Sequence, residues 1–138
     1  MYPLTFRGKV STSFEENQWN LALKDIVRVG IPPEFGGDSG VISPEELFLG
    51  SIINCYVGTF KVVCKNSNLF FETLSIDGTL IMDKNEKGKP WMKQVILDVY
   101  VSDFSDKDRL EGISKVTQHN CFVHNSVKSE IIVNLHHL

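Results

Sequence analysis

A single long helix is the feature that most constrains how this chain can fold. It is predicted over residues 43–65, where Ser43 can act as the N-cap, Pro44 suits the first helical position and Glu46 completes a capping box. Apolar residues occur nearly all the way round it, so we expect burial on most sides. At about 1.5 Å per residue it is roughly 33 Å long, as long as a small domain is wide. We therefore expect a central helix with the rest of the chain arranged around it.

The residues before this helix predict a β-hairpin. Residues 3–11 alternate between apolar and polar side chains, and residues 19–30 read as a second strand, so the hairpin lies within residues 1–30. Residues 31–43 contain two prolines and three glycines, which predict a bent loop without regular structure.

The residues after the helix, 72–138, predict the order β-β-α-β. Two strands, 73–82 and 93–101, form a second hairpin. An amphipathic helix over 105–120 follows, with Leu110, Ile113 and Val116 on its inner side, and 130–138 form a last strand. With helices placed between hairpins, the whole chain predicts one α+β domain over residues 1–138 with a largely antiparallel sheet.

Composition and charge exclude several functions. A net charge of −3 gives no electrostatic reason to expect a nucleic acid or an acidic membrane as partner. Arg7 and Lys9 fall where a signal peptide needs an apolar stretch, and no later run is expected to approach the length of a membrane span. We therefore expect a cytoplasmic protein.

The three cysteines carry the most chemical information. Cys55 and Cys64 lie nine residues apart on the predicted helix, so they point to nearly opposite sides, about 13 Å apart along the axis, and cannot pair. If Cys55 has a thiol partner in the subunit, that partner must be Cys121. Inert packing is the alternative for Cys55 and is our interpretation of Cys64, because free cysteines are commonly buried.

A metal site is a further alternative for the second cysteine. His119, Cys121 and His124 have the form H-x-C-x-x-H, but this spacing matches no strong zinc pattern, and Cys55 would have to complete the set. We expect no metal. His136 and His137 are interpreted as a solvated tail after the last strand.

Small residues surround Cys55 on its helix. A helix wholly inside its own core would carry larger side chains there, and glycine costs helix stability by about 1 kcal/mol relative to alanine. Close approach of another backbone would compensate, and in a chain with two helices a second subunit's copy of this helix is a plausible neighbour. These residues are Gly50, Ser51, Asn54, Gly58 and Thr59.

The run "PEFGG", then "SPEELFLGSIINC", then a second cysteine 66 residues later, resembles the OsmC/Ohr family of thiol-dependent hydroperoxide reductases. The resemblance covers about residues 31–135 and is most specific at the Pro-Glu-Glu-Leu-Phe start of the helix, with Cys55 ten residues after Glu45. It implies an OsmC-like fold in which two subunits interlace as a homodimer around the long helices, with two active sites at the interface.

The resemblance also implies residue roles and partners. The cysteine matching Cys55 attacks an organic hydroperoxide or hydrogen peroxide and becomes a sulfenic acid, and the one matching Cys121 then closes a disulfide. No bound cofactor is implied; an external thiol, of dithiol or lipoyl type, resets the pair. The glutamate matching Glu45 belongs to the polar network around the thiol. On one helix Glu45 lies about 15 Å along the axis from Cys55, so a bend or the other subunit must bring them together.

Two departures from the family pattern bear on function. The matching N-terminal turn, "STSFEENQW", contains no arginine, and neither Arg7 nor Arg28 falls in the matching place, so His119 or His124 is left as a source of positive charge. Phe122 stands where a proline usually follows the second cysteine. The leading hypothesis is a thiol peroxidase. The alternative is a non-catalytic dimer that binds a small thiol-bearing or phosphorylated ligand at its interface.

Overall fold

The computed structural model describes all residues, Met1–Leu138. It contains helices and strands in the order β-β-β-α-β-β-α-β, so the predicted α+β class is confirmed. The chain divides into two compact units, Met1–Leu47 and Phe48–Leu138, and the division falls inside the long helix. The single domain over 1–138 and the interlaced homodimer stay predictions.

The first unit contains a three-stranded antiparallel sheet instead of the predicted two-stranded hairpin. Its strands are β1 (Lys9–Val10), β2 (Gln18–Ala22) and β3 (Ile26–Gly30), paired in that order. The strand predicted over 19–30 is interrupted because the Leu23 N–H donates to the Asp25 carbonyl at 2.9 Å, which closes a tight turn. The strand predicted over 3–11 is reduced to two residues.

The glycine pair of the following loop has a conformational reason. Pro33–Phe35 form one turn of 3₁₀ helix, where the sequence predicted no regular structure, and Gly36 ends it at φ 86°, a left-handed conformation that glycine adopts freely. A Cβ atom on Gly37 would overlap the Ile31 carbonyl. Both positions therefore require glycine for the chain to turn toward the long helix.

The long helix, α1, spans Pro44–Asn66 and confirms the helix predicted over 43–65. The capping box is also confirmed: the Glu46 N–H donates to Ser43 Oγ at 3.1 Å, and the Ser43 N–H donates to Glu46 Oε1 at 3.0 Å. The backbone hydrogen bond from Ser43 holds the pKa of Glu46 below its usual value. The helix start is thus fixed by local hydrogen bonds, as the sequence indicated.

Burial on most sides of α1 is wrong for the isolated chain. One stripe is buried, and the opposite side is exposed because no element of the second unit covers it. The buried stripe consists of Ile52, Tyr56, Phe60 and Cys64. The exposed side includes Gly50, Ser51, Asn54, Gly58, Lys61 and Val62.

By length and composition alone, α1 could cross a membrane, since its 23 residues include an 18-residue window with a mean hydropathy of 1.6. The expectation that no run approaches the length of a membrane span therefore does not hold for α1. One such helix is weak evidence, because the core helix of a soluble protein has the same composition. Here the stripe Ile52, Tyr56, Phe60 and Cys64 packs in a hydrophobic core.

The second unit contains a sheet of β4 (Thr73–Lys84), β5 (Pro90–Ser102) and β6 (Glu130–His137), in that order. The β4–β5 hairpin is confirmed, with Thr73 opposite Ser102 and Lys84 opposite Pro90. The largely antiparallel prediction is wrong for β6, which runs parallel to β5. A helix between two strands supplies the long crossover that parallel pairing needs, and the segment from β5 to β6 is such a connection.

That crossover helix, α2, spans Leu110–Asn120 and follows one 3₁₀ turn at Lys107–Arg109, so the helix predicted from residue 105 begins later. Its N-cap is Arg109, and no side chain caps it. The predicted inner position of Val116 is wrong, because this residue is 45% exposed. The buried residues are Leu110, Ile113, Ser114 and Thr117.

The core of the second unit lies where α1 packs on the inner face of the sheet. Alternate residues of β5 supply its floor, as expected for a strand with one buried face. Gly78 of β4 permits the close approach of α1, because a Cβ there would lie 2.7 Å from Ile53 Cδ1. The fully buried floor residues are Val95, Leu97, Val99 and Val101.

Candidate active site

Cys55 and Cys121 are joined in a disulfide within the second unit. Cys55 lies midway along α1 and is partly exposed, whereas Cys121 directly follows α2 and is fully buried. Their Cα atoms are 6.1 Å apart, inside the range of ordinary disulfides. The structure therefore brings together two of the three predicted site residues, across 66 residues of sequence.

The side of α1 near Cys55 is open in this chain. Cys55 Sγ lies 3.9 Å from Thr59 Oγ1, one turn further along the helix. Apart from the backbone of α1 itself and the two adjacent residues, a Cβ atom on Gly50 or on Gly58 would meet no atom within 4 Å. The close backbone approach predicted from these small residues is thus not supplied within the second unit, and a second subunit in this place stays a prediction.

A buried hydrogen bond between the two helices was not predicted. Tyr56, which follows Cys55, is fully buried and its Oη lies 2.8 Å from Ser114 Oγ on α2. Burial raises the pKa of Tyr56 to about 12, although the hydrogen bond with Ser114 acts in the opposite direction. Tyr56 is therefore a neutral phenol at physiological pH that ties α1 to α2 beside the disulfide.

His124 lies three residues after Cys121 and contacts the helix that carries Cys55. Its Nε2 is 3.3 Å from the Ile52 carbonyl, and its ring stacks on that of Tyr56 with centroids 6.1 Å apart. Burial lowers the pKa of His124, while the hydrogen bond to Ile52 raises it less. The neutral ring is therefore favoured, which argues against His124 as the positive charge beside Cys55. His119 is exposed.

Cys64 occupies the other half of α1 and remains a free thiol in the core. It is 2% exposed, and burial raises the pKa of its thiol. A buried thiol with a raised pKa is a poor nucleophile, because the thiolate is the reacting form. The interpretation of Cys64 as packing is consistent with this placement.

Glu45 lies on the first turn of α1, in the unit that ends at Leu47. Its carboxylate is partly exposed, but Oε2 is shielded from solvent and has no hydrogen-bond partner. Shielded carboxylate oxygens normally accept a hydrogen bond. Because Glu45 and the cysteines belong to different units, the predicted role of Glu45 at the thiol stays a prediction.

A reactive thiolate needs a nearby cation, and the first unit contains two arginines, Arg7 and Arg28. Arg28, on β3, donates through Nε to Gln18 Oε1 at 3.0 Å and through Nη1 to Asn20 Oδ1 at 3.3 Å. Its guanidinium is held by neutral amides and pairs with no carboxylate. The source of positive charge near Cys55 therefore stays unassigned.

No group of three or more His, Cys, Asp and Glu side chains is placed to hold a metal ion. Of the H-x-C-x-x-H set, Cys121 forms the disulfide with Cys55, and His124 is hydrogen-bonded to the Ile52 carbonyl.

The last two histidines are not a solvated tail as predicted, because both are partly buried and hydrogen-bonded. His136 Nε2 lies 3.1 Å from Asp98 Oδ1, and His137 Nε2 accepts a hydrogen bond from the Phe104 N–H at 3.3 Å.

Solved structures resemble the whole chain. An OsmC-like protein of unknown function from Vibrio cholerae superposes with a TM-score of 0.87 at 19% identity, covering 96% of this chain and 99% of that one. An organic hydroperoxide resistance protein from Elizabethkingia anophelis gives 0.79 at 16%, covering 99% and 98%. One from Bacillus subtilis gives 0.71 at 18%, covering 98% of each chain. At these identities the likeness shows the fold alone.

The sequence matches no curated protein. A family model described as OsmC-like protein matches residues 36–136, which include both bonded cysteines and all of α1 and α2. The chain therefore belongs to the OsmC-like protein family.

Proposed function

We propose that the protein is a thiol-dependent peroxidase that reduces organic hydroperoxides or hydrogen peroxide. The observation that carries this proposal is the Cys55–Cys121 disulfide, which joins a partly exposed cysteine of α1 to a buried one at the end of α2. Membership of the OsmC family, together with neighbours named organic hydroperoxide resistance proteins, supports a redox or peroxide-detoxifying role.

In the first step the Cys55 thiolate attacks the terminal oxygen of the hydroperoxide. The S–O bond forms, the O–O bond breaks, and the alkoxide takes a proton and leaves as the alcohol. Cys55 is oxidised by two electrons to the sulfenic acid, the reversible level of thiol oxidation. The partial exposure of Cys55 on the open side of α1 gives a peroxide access to this sulfur.

In the second step the Cys121 thiolate attacks the Cys55 sulfur; the S–S bond forms, the S–O bond of the sulfenic acid breaks, and hydroxide leaves and takes a proton to become water. The Cα separation of 6.1 Å means that the sulfurs can bond without a large backbone movement. An external dithiol, of lipoyl or similar type, then returns two electrons and two protons to the pair. No bound cofactor takes part.

Glu45 is proposed to belong to the polar network of the site, and its shielded, unpartnered Oε2 leaves it free to accept a hydrogen bond there. A homodimer is proposed because the side of α1 beside Cys55 is uncovered in the single chain and rich in small residues. The protein is proposed to act in the cytoplasm.

The test is a steady-state peroxidase assay with cumene hydroperoxide, a dithiol reductant and the reduced protein. Cys55→Ser should abolish turnover, and Cys121→Ser should stall after the first turnover, because the Cys55 sulfenic acid then has no resolving thiol within the protein. Cys64→Ser is the matched control and should keep the wild-type rate.

Equal rates in wild type and Cys55→Ser would overturn the proposal. Tight binding of a small thiol without turnover would instead support the non-catalytic alternative. Peptide mass analysis of peroxide-treated protein should find the Cys55–Cys121 link; oxidation confined to Cys64 would contradict the assignment.

A further inference from the structure

In the reduced protein, no disulfide holds the Cys121 thiol near Cys55. Once the S–S bond is broken, Cys121 stays attached to the end of α2, an 11-residue helix, and to the turn at His124–Ser126. A second thiol must nevertheless stay near Cys55 for the disulfide to form again within one protein molecule. Contacts independent of the sulfurs must therefore position this segment.

Two such contacts bracket Cys121 along the sequence. Before it, Ser114 on α2 is hydrogen-bonded to Tyr56 at 2.8 Å, and both residues are buried. After it, His124 reaches the Ile52 carbonyl at 3.3 Å. On α1 the two anchor points, Ile52 and Tyr56, likewise bracket Cys55.

We propose that His124 is a positioning residue that, together with Tyr56, holds the Cys121 thiol beside Cys55 in the reduced protein. The inference rests on the proposed function, since it matters only if the two cysteines cycle between dithiol and disulfide. It assigns a role to a histidine that touches neither sulfur and acts through the chain segment that carries Cys121.

The hydrogen bond between His124 and the Ile52 carbonyl is of a kind that can persist in both redox forms of the protein. The Ile52 carbonyl can only accept, so Nε2 of His124 must carry the proton. Burial favours the neutral ring, so the bond does not depend on a charge at neutral pH. The ring also stacks on Tyr56, with planes 27° apart. The His124–Ile52 and Tyr56–Ser114 hydrogen bonds therefore belong to one cluster of side chains.

The consequence is a higher effective concentration of the Cys121 thiol at Cys55. In a dithiothreitol buffer, the protein disulfide takes two electrons and two protons from the reagent, which closes into its own cyclic disulfide. A typical intramolecular hydrogen bond changes an equilibrium by about fivefold. Loss of the His124–Ile52 hydrogen bond should therefore shift this equilibrium about fivefold toward the protein dithiol. For a two-electron couple this is a change of about 20 mV in the reduction potential.

The experiment measures this equilibrium constant in wild type, His124→Phe and His119→Phe. Free thiols are alkylated, and mass spectrometry then gives the fractions of dithiol and disulfide protein. Phenylalanine at 124 keeps a ring against Tyr56 but removes the bond to Ile52. His119 is also a histidine near Cys121, two residues before it in sequence, but it is exposed, so its variant is the matched control. We expect the fivefold shift only in His124→Phe, and His124→Gln, which restores an N–H donor, should recover most of it.

An unchanged equilibrium in His124→Phe, or an equal shift in His119→Phe, would overturn the proposal. Should the variant fail to fold, the wild type itself decides: histidine ¹⁵N spectra must show a proton on Nε2 of His124 in both the disulfide and the dithiol form. A proton on Nδ1 in the dithiol form would overturn it. Thiol exchange needs no peroxide, so an inactive protein with the shift would contradict the peroxidase proposal alone.

Discussion

The two cysteines of α1 lie on opposite sides of the helix, in contrasting surroundings. Cys55 is partly exposed, lies among small residues and is bonded to Cys121. Cys64, nine residues later, is 2% exposed, free, and part of the hydrophobic core. Both thiols share one helix, so helix geometry alone does not decide reactivity. What differs is the side of the helix: Cys64 continues the buried stripe, whereas Cys55 is off it.

The difference in reactivity is the largest effect we expect. In the reduced, native protein, iodoacetamide should label Cys55 about a thousandfold faster than Cys64, because labelling of a core residue requires an opening that costs about 4 kcal/mol. The raised pKa of the Cys64 thiol acts in the same direction. Peptide mass spectrometry over time measures both rates.

Urea provides the control for this labelling, since both rates should become equal once the chain unfolds. Fast labelling of Cys64 under native conditions would contradict its placement in the hydrophobic core.

The second effect is the contribution of the disulfide to stability. It closes a loop across 66 residues, for which the chain-entropy model gives about 4 kcal/mol. Urea unfolding with and without a phosphine reductant should show a free energy of unfolding lower by about 3 to 4 kcal/mol in the reduced form. Cys64→Ala should show the same difference between its two redox forms. A difference below about 1 kcal/mol would mean that the reduced chain is already constrained in the unfolded state.

The contrast between the two sides of α1 explains how much could be predicted. The helix and its capping box were predictable because Ser43, Glu46 and the loop before them act within a few residues. The buried stripe was not, because apolar residues lie nearly all round α1 and the sequence does not say which side meets the sheet. The same reason explains the misplaced Val116 on α2.

Long-range contacts were outside the reach of the sequence. Tyr56 and Ser114 are 58 residues apart and Ile52 and His124 are 72 apart, and no local pattern links them. The parallel β6 was missed although a helix between two strands was a usable signal. The pairing of Cys55 with Cys121 followed from the family resemblance, while elimination on helix geometry gave only the condition that a partner, if present, is Cys121.

A smaller effect separates the two cysteines as serine variants. In reduced protein, Cys64→Ser should lower the free energy of unfolding by about 1 to 3 kcal/mol, because a hydroxyl replaces a thiol in an apolar core. Cys55→Ser should cost less than about 0.5 kcal/mol, since this side chain reaches solvent. Urea unfolding under a reductant measures both. Equal losses in the free energy of unfolding for the two variants would contradict the contrast between the surroundings of Cys55 and Cys64.

The smallest effect concerns Tyr56, which lies between the two cysteines and belongs to the buried stripe. Its folded pKa of about 12 lies above the usual value of 10.0. Between these values the unfolded chain has lost the phenolic proton and the folded chain has kept it, so stability is complete below pH 10 and falls as the pH rises. From pH 8 to pH 11 the phenol should remove about 1.4 kcal/mol.

The measurement is urea unfolding of wild type and Tyr56→Phe across that pH range, with the difference between the two taken at each pH. Other groups titrate in both proteins and cancel, so the difference should shrink by about 1.4 kcal/mol toward pH 11. In Tyr56→Phe, Ser114 keeps a hydrogen bond from Gln118 Nε2 at 3.3 Å, so no buried hydroxyl is left unpaired. If the difference in free energy of unfolding between the two proteins did not change with pH, the phenol would be solvated. Solvent would then reach Tyr56 from the Cys55 side of α1, and this part of the buried stripe would not be core.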